Sequence, residues 1–155
     1  MKRGFTLIEM VITVAIVSLL ATVAIPMAEM SVKREKEREL RNALMEIRGA
    51  LDAYKADVDD GEIVKKVDES GYPRSLETLV DGVPNAKDPE GSRIFFLRRI
   101  PRDPFYEGNT VQAEKTWGLR SYASTADNPQ PGKDVYDVYS VSKDVGLNGV
   151  PYSQW

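Results

Sequence analysis

The sequence predicts an α+β fold in which a long N-terminal helix packs on a small three-stranded antiparallel sheet. Three observations predict it. An apolar run from Phe5 to Ile25 opens the chain, and an amphipathic stripe prolongs it to about Asp57. Every strand-like run comes later, bounded by turn-rich segments. A length of 155 residues suits one domain with a modest core.

The first element, FTLIEMVITVAIVSLLATVAI, holds 21 residues with a single charge, Glu9. As a helix it would be roughly 30 Å long, the thickness of a bilayer's hydrocarbon layer. Lys2 and Arg3 precede it and favour a cytoplasmic N-terminal end, which sends the following domain out of the cytoplasm. Lys33, Arg34, Lys36 and Arg38 pull the other way, although acids alternate with them. A secretory signal fits poorly, because the apolar core is too long and Thr22-Val23-Ala24 is the only tolerable cleavage site. A plain anchor explains the length but not Glu9, since an intramembrane carboxylate costs about 2.5–3.5 kcal/mol and calls for a partner. Pro26 removes one backbone hydrogen bond and marks either a bend or the end of the span.

Beyond the span, Leu40, Leu44, Ile47, Leu51, Tyr54 and Val58 recur at spacings of three and four, the stripe of one helix face. Joined to the apolar run, this makes a helix of about 50 residues, roughly 75 Å long. The heptad pattern is too short for a coiled coil, so the stripe is expected to cover a sheet. Glu37 and Arg41 form a helical pair expected on the wet side. The charge band from Lys33 to Arg41 is either a solvated face or a source of intersubunit salt bridges.

Gly61 is the expected helix terminator. The preceding Asp57-Val58-Asp59-Asp60 looks like an EF-hand start, but the glycine falls at the wrong position and the later acids are missing. A short capped helix is expected in Tyr72 to Val80, with no capping box between Ser75 and Thr78. Strands are expected at Ile94–Ile100, Trp117–Ala123 and Val135–Val141, and Asp137 is expected to be a strand residue whose side chain caps a turn.

Composition excludes much chemistry. The chain has no His and no Cys, which removes the usual neutral-pH base, His/Cys zinc sites, thiol nucleophiles and disulfides. No catalytic motif appears, and no enzyme is expected. Net charge is −3, so nucleic acid is not an expected partner despite the Arg98, Arg99 and Arg102 cluster.

Arg3-Gly4-Phe5-Thr6-Leu7-Ile8-Glu9 resembles the N-terminus of type IV pilins and type II secretion pseudopilins. YPRSLETLV, FLRRIPRDPF, WGLRSY and DVYDVYSVSKDVG resemble the major pseudopilin branch, in the same order. The resemblance implies a type IV pilin-like fold with a leader at residues 1–4, a transmembrane and assembly half at 5–30, and a periplasmic globular domain at 31–155. It implies cleavage between Gly4 and Phe5 by a prepilin peptidase, N-methylation of Phe5, and pairing of Glu9 with the Phe5 amine of a neighbour. Loss of Lys2 and Arg3, two cations, would take the net charge from −3 to −5.

The implied function is a structural subunit of a type II secretion pseudopilus, a helical homo-oligomer that helps drive exoprotein export. Its implied partners are minor pseudopilins and an inner-membrane assembly platform. Alternatives are a type IV pilin, disfavoured by the absence of the usual C-terminal disulfide loop, and a membrane-anchored periplasmic binding domain. The resemblance also implies calcium in the C-terminal loop, with the Asp144 side chain and the Val141 carbonyl at ligand positions and Asn148 nearby as a further candidate ligand. The later Asp of that pattern is missing, and a hydrophobic clasp of Tyr152 and Trp155 is expected to substitute. The 58–71 segment is longer than the family usually carries.

Overall fold

The computed structural model describes residues 6–109 and 112–155. The chain divides between Lys36 and Glu37 into two compact units.

Helix α1, Leu7–Asp59, contributes to both. In the first unit every residue from Leu7 to Leu20 is exposed, and the helix is long and apolar enough to cross a membrane. Pro26 lies inside the helix, so α1 does not end there. Thr13 and Thr22 turn their hydroxyls back onto the main chain, donating to the carbonyls of Met10 and Leu19 at 2.9 and 2.7 Å. That return bond spares an apolar helix two unpaired hydroxyls.

The second unit is built on the stripe. Leu40, Leu44, Ile47, Leu51 and Val58 are all buried along one face of α1, as their spacing requires. Gly61 ends the helix at φ 76°. Its N–H donates to Val58 O at 3.1 Å, and Glu62 N–H reaches Asp57 O at 2.8 Å, the paired bonds of a Schellman stop. Only glycine takes that backbone conformation without strain.

The small second helix, α2, is Glu77–Asp81, and no side chain caps its start. Two antiparallel ladders follow rather than one three-stranded sheet. Strand β1 (Val83–Pro84) pairs with β2 (Arg93–Ile94), and β3 (Trp117–Arg120) pairs with β4 (Asp137–Ser140). Long-range hydrogen bonds explain why the expected strands are cut short. The N–H groups of Phe96 and Leu97 both turn to Leu79 O at 3.0 Å, which bends the chain out of β2. Val135 N–H goes to Pro73 O at 2.8 Å, so β4 begins only at Asp137. Past β3, Ser121 N–H bonds Gln130 O at 2.9 Å and closes the loop between the strands. Asp134 tightens that loop by accepting from Ser121 Oγ at 2.6 Å and Tyr122 N–H at 2.9 Å.

Leu76 and Leu79 from the α2 region, and Val135 and Val138 from the β4 region, complete the core over the α1 stripe. Trp117 joins them and satisfies its indole N–H on Pro101 O at 2.8 Å. Asp137 is a strand residue, the first of β4, as expected, but its side chain does not cap a turn. Its carboxylate accepts from Arg48 Nε at 2.8 Å and lies 3.7 Å from Arg120, which ties β4 to both α1 and β3.

Candidate functional site

Two places hold the residues singled out by sequence. The first is the start of α1. Gly4 and Phe5 lie outside the described residues. Thr6 stands at the N-cap, and its N–H and Oγ–H both donate to Glu9 Oε2, at 2.8 and 2.7 Å. Glu9 N–H returns a longer bond to Thr6 Oγ1 at 3.3 Å. Threonine and glutamate three residues apart thus make a reciprocal capping box, worth about 1 kcal/mol to a helix end. The T-x-x-E signal is present in the sequence itself. Glu9 also sits in the first turn, where its charge suits the positive end of the helix dipole.

The second place is the C-terminal loop, inside the second unit. Val141, Asp144 and Asn148 are all exposed. Asn148 Oδ1 accepts from Val150 N–H at 3.0 Å, and Asp144 O accepts from Tyr152 N–H at 3.1 Å. Among the described residues, no group of three or more acids is placed to hold a metal. Calcium takes six to eight oxygens, and this loop offers the single side-chain carboxylate of Asp144 beside amide, hydroxyl and main-chain oxygens.

Around the loop the structure places residues that the charge pattern alone conceals. Glu37 is only 4% exposed, not on the wet side. Its Oε1 accepts from Leu147 N–H at 2.7 Å and from the Tyr152 hydroxyl at 3.0 Å. Arg41 lies 3.8 Å from its Oε2 and covers the Trp155 ring at 4.5 Å. The expected clasp of Tyr152 and Trp155 is present, with ring centroids 5.1 Å apart, and Phe105 stacks on Tyr152 at 4.0 Å. Glu37 was findable: it lies three residues before Leu40, so the stripe extends back onto it.

Burial first, and then the hydrogen bond and charge of Glu37, hold the Tyr152 phenol above its ordinary value of 10.0. Burial likewise raises Tyr54 and Tyr72. A raised folded-state value means that the native protein keeps a proton which the unfolded chain gives up. The associated stability is therefore complete below about pH 10 and is lost as pH rises, by up to ~1.4 kcal/mol per unit per group. Chemical denaturation from pH 8 to 11 should show wild type losing stability more steeply than Tyr152→Phe. Parallel curves would remove Tyr152 as the cause.

An apolar helix start with one capped carboxylate, and a second helical half packed against the short antiparallel β3–β4 ladder, define a type IV pilin-like α+β fold. Comparisons with known proteins agree. Residues 1–25 match the family described as the prokaryotic N-terminal methylation motif. The chain is 31% identical to the type II secretion system core protein G of Klebsiella pneumoniae, over 67% of this chain and 69% of the relative. It is 30% identical to the protein of that name from Pseudomonas aeruginosa, over 86% and 89% of the two chains. Against the Vibrio cholerae protein identity is 26%, over 92% and 82%. No solved structure matches the chain. The chain belongs to the type II secretion system core protein G family.

Proposed function

We propose that this chain is the structural subunit of a type II secretion pseudopilus, held in the inner membrane by the first part of α1 before polymerising into a periplasmic helical filament. The observation that carries it is an apolar half-helix, exposed along its whole first stretch, that begins on a single carboxylate. Every residue from Leu7 to Leu20 is exposed. A lipid layer would cover this stretch first and copies of the same helix afterwards, and both remove it from water.

In this reading residues 1–4 are a leader, and a prepilin peptidase cuts between Gly4 and Phe5 and methylates the new amine. That amine is a second charge in an apolar layer. Pairing it with Glu9 of an adjacent copy joins two charges that are costly alone and sets the axial register between subunits. Pro26 cannot donate to the carbonyl four residues back, so it is the weakest point of α1 and the place for a bend when the helix leaves the bilayer. The role is mechanical rather than catalytic: the filament, extended by an assembly platform and joined by minor pseudopilins, would push exoproteins outward.

Intact mass and N-terminal sequencing of the protein from its native membrane test this directly. A chain that begins at Phe5 and carries one extra methyl group is the expected result. A chain that retains Met1, or begins after Ala24, would sink the filament reading.

A further inference from the structure

Loop 141–155, to which the family resemblance assigns a cation, presents hydrogen-bond donors to an anion. We propose that Glu37 of α1 closes this loop as an internal, metal-free clasp, so that the fold of the second unit does not depend on calcium.

The polarity of the groups carries the inference. Leu147 N–H and Tyr152 O–H both point at one oxygen, Glu37 Oε1. Converging donors of that kind neutralise a buried carboxylate and repel a cation, whereas a calcium cage is built from converging oxygens. Asp144 is the only acid from Val141 onward. The oxygens beside it already serve the loop: Asn148 Oδ1 holds Val150 N–H, and Asp144 O holds Tyr152 N–H. Gly146 N–H bonds Val150 O at 2.9 Å, and Gly149 turns the chain between them at φ 79°. The turn is therefore closed by its own main chain.

Three residues of α1 then fasten it. Glu37 takes the two donors, and Arg41 covers Trp155. Arg48 reaches the Trp155 main-chain oxygen at 2.8 Å and Val138 O at 3.2 Å. The Glu37 contacts join positions 110 and 115 residues apart in sequence. They do the work of a cross-link at the end of the fold, without the disulfide that zero cysteines forbid or a bound metal.

The experiment uses the full chain in detergent micelles, and its readout is independent of filament assembly. Thermal unfolding of wild type should be the same in excess EGTA and in millimolar calcium. Glu37→Ala should lower the Tm by about 5–10 °C at either calcium level. It should also speed trypsin cleavage after the exposed Lys143 by about tenfold or more, through local opening of the loop. Glu37→Gln keeps an oxygen acceptor and should recover much of both effects. Should Glu37→Ala fail to fold, the EGTA comparison on wild type and the Glu37→Gln cleavage rate still decide. The proposal is overturned if EGTA lowers the wild-type Tm, calcium restores it and Asp144→Asn abolishes that response. It is equally overturned if Glu37→Ala leaves both Tm and cleavage unchanged.

Discussion

Glu9→Ala should abolish filament formation while leaving the Glu37–Trp155 unit folded. The substitution removes a carboxylate that costs about 2.5–3.5 kcal/mol at the centre of a membrane span, so insertion of the helix is not impaired. It removes the charge that the Phe5 amine of a neighbouring copy would meet. It also removes the acceptor of both Thr6 donors, which weakens the helix start by about 1 kcal/mol. Glu9→Gln separates the two effects. The amide oxygen can still accept from Thr6, but no charge remains to pair with an amine. Sedimentable or cross-linked filament should be lost in both variants, and the thermal transition of the second unit should match wild type. Normal assembly by Glu9→Gln beside failure of Glu9→Ala would assign Glu9 to capping and reject the intersubunit pair.

What sequence alone conveyed follows the range of the interactions. The stripe from Leu40 to Val58 and the stop at Gly61 rest on helical period and on a conformation that glycine takes readily, both of them local signals. The ladders are not local. Ile94–Ile100 is β-branched and aromatic enough for a strand, yet Leu79 O captures two of its N–H groups and ends β2 after Ile94. Val135 is diverted in the same way by Pro73. Such competition between distant main-chain groups leaves no trace in composition or spacing. The candidate sites divide likewise. Glu9 stands out because a lone acid in an apolar run is conspicuous. Glu37 lies in a band of alternating charges that mimics a solvated face, and only its position on the Leu40 stripe gives it away. Its partners Leu147 and Tyr152 are more than a hundred residues distant, and only the fold brings them together.

The second large effect belongs to the same helix but to the other unit. Ile47→Asp should prevent the second unit from folding, while Met45→Asp, two residues away, should be nearly silent. Ile47 is fully buried, whereas Met45 is 64% exposed. Truncating a buried isoleucine to alanine already costs about 2–5 kcal/mol. An aspartate at that position adds an unpaired charge, because Ile47 packs among apolar side chains of the core. The sum approaches the whole stability of a small domain, about 5–15 kcal/mol. Met45→Asp touches none of that core and should stay within about 0.5 kcal/mol. Circular dichroism and protease resistance of the two variants, in the full chain, would compare them at equal charge change. If Ile47→Asp folded as well as Met45→Asp, the α1 stripe could not be the floor on which the β3–β4 ladder packs. If it fails as expected, the variant fails for a reason unlike that of Glu9→Ala: the apolar first part of α1 is unchanged, but the second unit it carries is unfolded.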